Sequence, residues 1–587
     1  MRVLYPVLWI LPIAVLTAKL PVTPAGLLRR VQEVPGGPAD QTAKCRICMI
    51  LVDGLQRLLA QNSTDEELIE FGINTCKVLK AEQTHVCDTI VPSLLPEVLF
   101  MMDHVIVTPD EMCADLVQDC GHETNVFDVL WPLKIPDGKP PVKPWPQVQK
   151  GKPTLRVLHL SDIHVDRQYQ EGSEAQCDSE EQDHVSIFGM FVMCCRNYPP
   201  GVTAQDGPIK KPAGKWGTQA KCDLPYQTFI SAMSHISRTE KLDYIIITGD
   251  LEAHDIWDYT KEKTAANIAN ITAVLREFFP TTPIFQSVGN HEGVPSDAMA
   301  PHGMDEYDTR GPQWLYAELA KDWGPELGPV QRNDVHYRAS WAQYVKPGLK
   351  LIAFNSIYCS QNNFYLYINQ VDPDGTLEWL IEQLVDAEQK GDKVHLFAHI
   401  PSGNGYCLKG WSFNFYEIVN RFESTIAAQF YGHTHVDQFE IYYDQADFKK
   451  RPVGVNLITP SLTTNTNNNP AYRIYTIDGD YAGSSYTVLE IEAFYANLTA
   501  ANENGQEPVW ELEYKATEAY GMKDLSPQSW HDLTERFLTD AHLFAKYYHH
   551  YNRYGAPGDS CSSNAGCRKS WVCGMRTARS HDTTKFC

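Results

Sequence analysis

After its first twenty residues the 587-residue chain has no stretch of about 18 uninterrupted apolar residues, so no membrane span is expected in a mature, soluble protein. Positive charge is scarce as well: 50 lysines and arginines face 73 aspartates and glutamates, a formal net charge of −23. Such a surface repels a nucleic-acid backbone, so no nucleic-acid partner is expected, and any phosphate chemistry must bring its own positive charge. No internal repeat is found. Cysteine, by contrast, is plentiful. Its 16 copies, an even number, and the sequons at Asn62, Asn270 and Asn497 fit the oxidising secretory route better than a reducing cytosol.

The chain opens with MRVLYPVLWILPIAVLTAKL. Arg2, the apolar run from Val3 to Leu16 and the small residues Thr17 and Ala18 read as a signal peptide over residues 1–18, too short for an anchor. The expected destination is secreted and/or lysosomal, and a monomer is expected. The length predicts two to four folded units.

Six cysteines, Cys45, Cys48, Cys76, Cys87, Cys113 and Cys120, fall in one block over residues 41–124 and then cease until Cys177. Within it Ile47, Ile50, Leu51, Leu55, Leu58 and Leu59 recur at helical spacing, and Thr64 with Glu67 forms a capping box, so the block is a small all-α domain stapled by disulfides. Spacing alone leaves the cysteine connectivity open. Prolines crowd residues 134–153 and exclude helix and sheet there, which makes a semi-rigid linker. From residue 154 to 500, apolar runs such as TLRVLHLSD, LDYIIITGD and KVHLFAHIP alternate with helical stretches such as Thr260 to Phe279. That pattern predicts an α/β domain with a layered sheet and flanking helices. Residues 501–587 read as a helical region with a Trp530, Leu533, Phe537, Leu538, Ala541, Phe544, Tyr548 stripe and four more cysteines.

Polar residues gather where the apolar runs end: Asp162 and His164 in SDIH, Asp250 in TGD, Asn290 and His291 in GNHE, His399 in FAHIP, and His433 and His435 in GHTH. Side chains just past the carboxyl ends of strands in an open α/β sheet converge on one crevice. Three carboxylate or amide oxygens and four imidazoles exceed what one four-coordinate ion needs and suit two ions with Asp250 as a bridge. Mixed nitrogen and oxygen donors without thiolate suit zinc, iron or manganese. Such a pair activates water and clamps phosphoryl oxygens, which also supplies the missing positive charge.

This ordered set resembles the calcineurin-type metallophosphoesterase superfamily. The resemblance implies one ion on Asp162, His164, Asp250 and His435, and a second on Asp250, Asn290, His399 and His433; two zinc ions are the expected cofactors. The cysteine block resembles the saposin B-type domain, which implies pairs Cys45–Cys120, Cys48–Cys113 and Cys76–Cys87. GDLEAHDIW, CCR at Cys194 to Arg196, WGTQAKCDLP, GNHE and PSLTTNTNNNPAYRIYTID together resemble the acid sphingomyelinase family over nearly the whole mature chain. That likeness implies pairs Cys177–Cys194, Cys195–Cys222, Cys359–Cys407, Cys561–Cys567 and Cys573–Cys587.

The implied activity is hydrolysis of sphingomyelin to ceramide and phosphocholine at acidic pH. The helical block would meet the lipid in membranes or lipoproteins. His291 is the first choice for the acid that protonates the departing alkoxide, and His254, four residues past Asp250, is a phosphate-binding or proton-donating histidine. If its segment is helical, His254 shares a face with Asp250. Nucleotide or pyrophosphate hydrolysis is the alternative, and a non-catalytic lipid-binding protein a weaker one. Asn465 stands where some family members carry an aromatic, leaving Tyr472 and Tyr475 as candidates to face the choline.

Overall fold

The computed structural model describes residues 43–79, 81–117, 120, 127–148, 151–177, 193–198, 208–445, 451–555 and 561–581. The expected signal peptide and Cys587 lie outside them.

Four helices, α1 (Ala43–Leu59), α2 (Asp65–Val78), α3 (Thr84–His104) and α4 (Pro109–Leu116), form the N-terminal block. The expected capping box closes the start of α2: Glu67 N–H donates to Thr64 Oγ1 at 3.3 Å, and Thr64 N–H donates to Glu67 Oε2 at 3.1 Å. Ile50 and Leu55 of the predicted stripe are buried against Leu68, Phe71, Leu95 and Leu99. Disulfides join Cys45 to Cys120, Cys48 to Cys113 and Cys76 to Cys87, as the resemblance implies. By length and composition α3 could cross a membrane. Here it carries a buried Glu97 and lies between two sets of protein contacts.

Two six-stranded sheets form the catalytic body. The strands are β1 (Thr154–Leu160), β2 (Tyr244–Ile247), β3 (Ile284–Gln286), β4 (Trp341–Lys346), β5 (Leu349–Ala353), β6 (Lys393–Phe397), β7 (Ile426–Tyr431), β8 (Gln438–Tyr443), β9 (Pro452–Ile458), β10 (Ala471–Asp478), β11 (Val488–Ala496) and β12 (Trp510–Lys515). The first sheet runs β12-β11-β10-β1-β2-β3 and the second β8-β9-β7-β6-β5-β4. Strands β1, β2 and β3 are parallel, as are β5, β6 and β7. Their fully buried patterns, such as YIII in β2, are what a parallel sheet covered on both faces requires. The sheets face each other through one core, with Phe430 of β7 between His159 of β1 at 5.8 Å and Tyr475 of β10 at 4.8 Å. Because β12 pairs with β11, the first sheet runs past residue 500.

The proline-rich stretch has no regular structure over its described residues, yet it is pinned: Arg421 donates to the carbonyls of Pro136 and Asp137. The C-terminal stripe occupies two helices, Pro527–Thr539 and Ala541–Tyr551. Asp540 divides them by accepting from the N–H groups of His542 and Leu543. Trp530, Leu533, Phe537 and Phe544 are buried in the main core. A further helix, Ala565–Met575, follows. Four further pairs implied by the resemblance, all within the described residues, also form: Cys177–Cys194, Cys195–Cys222, Cys359–Cys407 and Cys561–Cys567.

Candidate metal centre

The seven donors inferred from sequence meet at the carboxyl ends of both sheets. Asp162 and His164 follow β1, Asp250 follows β2, Asn290 follows β3, His399 follows β6, and His433 and His435 follow β7. Asp162, His164, Asp250, His433 and His435 all have positive φ, between 40° and 70°. For residues other than glycine this costs of order 1–3 kcal/mol each, and such strain collects at functional sites. The short glycine-led turns let the loops close up. A Cβ on Gly289 would collide with Asp250 Oδ1, and one on Gly432 with Ser161 Oγ and Asp162 Oδ2.

Asp250 lies between two groups of donors. On one side Asp162, His164 and Asp250 offer ligand atoms within 4.8 Å of one another, and on the other Asp250, His399 and His433 do. His164 Nε2 stands 3.5 Å from Asp250 Oδ2 and 3.1 Å from His435 Nε2, and His435 Nε2 is 3.4 Å from Asp162 Oδ1. Across the bridge, His399 Nε2 is 3.0 Å from both Asp250 Oδ2 and Asn290 Oδ1, and 3.3 Å from His433 Nδ1.

The hydrogen bonds behind these rings fix which nitrogen faces inward. His164 Nδ1 donates to the Glu252 carbonyl at 2.5 Å and His399 Nδ1 to the Thr248 carbonyl at 2.6 Å, so both Nε2 atoms turn lone pairs toward other acceptors. A proton would satisfy one such pair. His399 Nε2 faces three acceptor groups at once, which suits a divalent cation. The donor chemistry therefore fits metal ions.

His254 reaches the centre by a route other than the helix considered from sequence. Residues 251–255 are not helical, and a short 3-10 turn begins only at Ile256. His254 Nδ1 lies 2.8 Å from Asp223 Oδ1, and its N–H donates to Asp223 Oδ2 at 2.6 Å. Its ring is 3.9 Å from that of His164 and 4.7 Å from that of His291, and it groups with His164 and His435 within 4.8 Å. Burial opposes a charge on His254, but the Asp223 carboxylate outweighs it and holds the imidazole above its usual pKa. His291 is placed oppositely. Burial pushes it down to about 3, and its Nδ1 is 2.8 Å from the Tyr259 hydroxyl, which itself donates to the Ala253 carbonyl. Nδ1 is therefore the protonated nitrogen of His291 and Nε2 the free one.

Three supporting carboxylates and a hydroxyl escaped the sequence reading. Asp223 also accepts from Thr463 Oγ1 at 2.7 Å. Glu292 ties the loops after β2 and β3 by accepting from the N–H groups of Gly289, Asp250 and Leu251. Asp297 holds Asn290 Nδ2 at 3.3 Å and Ser360 at 2.7 Å. Asp223 and Glu292 sit inside quoted motifs, which was the available signal; Tyr259 and Asp297 carried none. Two aromatics considered for the choline lie elsewhere. Tyr472 stacks on Phe494 at 5.2 Å, and Tyr475 packs on Phe430, both deep in the sheets. Their alternation along β10 points them into packing layers. Asn465 is buried with Nδ2 near Met193 Sδ at 3.7 Å.

The N-terminal block grips this site. Val86 and Ile90 of α3 pack on Met193, Ala253 and Trp257, around the His254 loop, while Phe100 packs on Ala298, Ala300 and Tyr365 beyond the Asn290 loop.

Comparison with known proteins follows this geometry closely. Residues 155–437 match the calcineurin-like phosphoesterase family model, and residues 453–584 match the acid sphingomyelin phosphodiesterase C-terminal region. Sphingomyelin phosphodiesterase 2 of Caenorhabditis elegans is 50% identical over 97% of this chain and 92% of its own length. Human sphingomyelin phosphodiesterase is 36% identical over 92% of this chain and 82% of its own. A rat cyclic GMP-AMP phosphodiesterase, SMPDL3A, is 28% identical over 72% of this chain and 90% of its own. The metallophosphoesterase match implies divalent metal ions and phosphodiester hydrolysis. The chain belongs to the sphingomyelin phosphodiesterase family of calcineurin-like phosphoesterases.

Proposed function

We propose that this enzyme cleaves sphingomyelin to ceramide and phosphocholine at acidic pH, using two zinc ions held by Asp162, His164, Asp250 and His435 and by Asp250, Asn290, His399 and His433. The observation that supports the reading is the packing of α3 against the His254 loop, so that a block resembling a lipid-binding domain lies beside the candidate metal centre. When bound, the ions supply Lewis acidity that makes water more acidic and offsets phosphoryl charge. Water adds to phosphorus, the bond to the ceramide oxygen breaks, and a proton must reach that oxygen.

His254 is the group for that proton and for holding the phosphate, while the unprotonated Nε2 of His291 can only accept there, as from a bound water. Asp223 favours His254 for the charged role, since it accepts from both Nδ1 and the backbone N–H; Nε2 is left for the substrate. His291 spends Nδ1 on a neutral hydroxyl and is better suited to a neutral hydrogen bond. This reverses the order in which the sequence ranks the two. An imidazolium donor is most populated at mildly acidic pH.

The helical block, taken as the saposin B-type unit over residues 41–124, would tilt or extract the lipid from membranes or lipoproteins. The remaining units are the linker at 134–153, a catalytic unit that begins at 154 and runs past 500 to include β12, and the C-terminal helical region after it. A signal peptide, a monomer, and a secreted or lysosomal glycoprotein complete the reading, with all three sequon asparagines exposed. Nucleotide phosphodiester hydrolysis is the second reading, favoured by the likeness to the cyclic GMP-AMP phosphodiesterase. The test compares the purified protein on sphingomyelin vesicles and on ATP from acidic to neutral pH, with and without added zinc. Preference for sphingomyelin at acidic pH is expected; preference for ATP reverses the assignment.

A further inference from the structure

The helices Ala541–Tyr551 and Ala565–Met575 do not seal against the second sheet. Between them and the start of β8 lies a cavity of about 380 Å³, within the range of small-molecule sites. Among the described residues none of the seven metal donors lines it, and neither does any lysine or arginine. Its walls are aromatic: Phe439, Tyr547, Tyr551 and Trp571, with Glu440 among them. Tyr551 and Trp571 meet edge to face at 4.7 Å, as do Phe439 and Tyr547 at 5.9 Å.

Two of these side chains are poorly explained by folding alone. Glu440 is 6% exposed on a strand whose neighbours are apolar. Its recorded bonds are from neutral donors to Oε2, the Asn456 amide at 2.9 Å and the Gly403 N–H at 3.2 Å. Burial pushes this carboxyl up to about 7, so a bound cation is what would hold it ionised. Tyr547 is 2% exposed and its hydroxyl has no hydrogen-bond partner, which a well-packed interior avoids. Aromatic rings that line one cavity together with a carboxyl group offer an environment that attracts an organic cation, since both the aromatic quadrupoles and the ionised acid favour positive charge.

We propose that this cavity binds an alkylated ammonium ion, with Glu440 as counter-charge and the rings of Tyr551 and Trp571 as walls. The cation comes either from a free amine or from a choline-bearing headgroup, and the site is separate from the metal centre. The inference is independent of which phosphodiester the enzyme cleaves.

Titration calorimetry on the full chain, with choline, phosphocholine and the uncharged carbon isostere dimethylbutanol, tests it. Choline is expected to bind about tenfold or more tightly than the isostere. Glu440→Gln and Trp571→Leu should each weaken choline by about tenfold, while hydrolysis of a soluble phosphodiester stays unchanged. Trp571 is half-exposed, and Tyr551→Leu provides a third variant should either fail to fold. Equal affinity for choline and isostere overturns the proposal, as does choline affinity that is unchanged in every folded variant. Phosphocholine binding as tightly as choline assigns a headgroup source, and weaker phosphocholine binding assigns a free amine; both support the site.

Discussion

In the N-terminal block, apolar residues divide into two small clusters and three disulfides tie the helices together. In the catalytic body, two sheets share one large core, and strained polar turns sit at one end of it. A small unit buries a smaller fraction of its surface than a large one, and three disulfides make up part of the difference. The larger core can carry the cost of five left-handed turns, and the centre gains fixed donors in return. The difference is what the proposed division of labour rests on, with chemistry in the body and lipid handling in the block.

Asp250→Asn should have the largest effect. It removes the shared charge at the junction of the two donor groups, and a loss of several kcal/mol of charge stabilisation corresponds to about 10³-fold or more in kcat, read on a soluble phosphodiester. Next, His254→Ala should lower kcat by about 10²- to 10⁴-fold with metal content unchanged, and Asp223→Asn by about 10- to 100-fold, since it reaches the reacting atoms through His254. A drop in metal content for His254→Ala would instead make it a ligand.

The block is tested by replacing Cys48 and Cys113 together with serine. A loss of about 2–4 kcal/mol is expected, seen as early melting of the helices, with activity on vesicles falling more than activity on a soluble substrate. Equal falls on both substrates would end the division of labour.

Glu97→Gln should have the smallest effect and probes the seam between the two regions. Glu97 Oε1 accepts from the Phe364 N–H at 3.0 Å, Oε2 has no partner, and burial pushes the carboxyl up to about 8. Its folded pKa lies above the unfolded one. Its contribution is therefore fully present below the usual glutamate pKa and is lost as pH rises through about 8. Thermal melting should show the glutamine variant gaining on the parent between pH 5 and pH 8; a gap constant with pH would refute this.

Much of this was legible because strand ends declare themselves. TGD, GNHE and GHTH each join an apolar run to a glycine-led turn, and the parallel strands of the two facing sheets bring those turns together. The reading stopped where contacts are long-range and lack a local pattern. Asp223 meets His254 across 31 residues, and its KCDLP context says nothing of that partner. Tyr472 and Tyr475 could be named as aromatics but not placed, because in a fully buried strand neither face is marked by polar alternation. The break at Asp540 hid because the apolar stripe continues across the cap.

The most direct test of the central claim is metal content by mass spectrometry on purified parent and Asp250→Asn protein. Two zinc ions per chain in the parent, with at least one lost in the variant, is the predicted result. A single ion in the parent, or a count unaffected by Asp250→Asn, would contradict a centre bridged by that carboxylate.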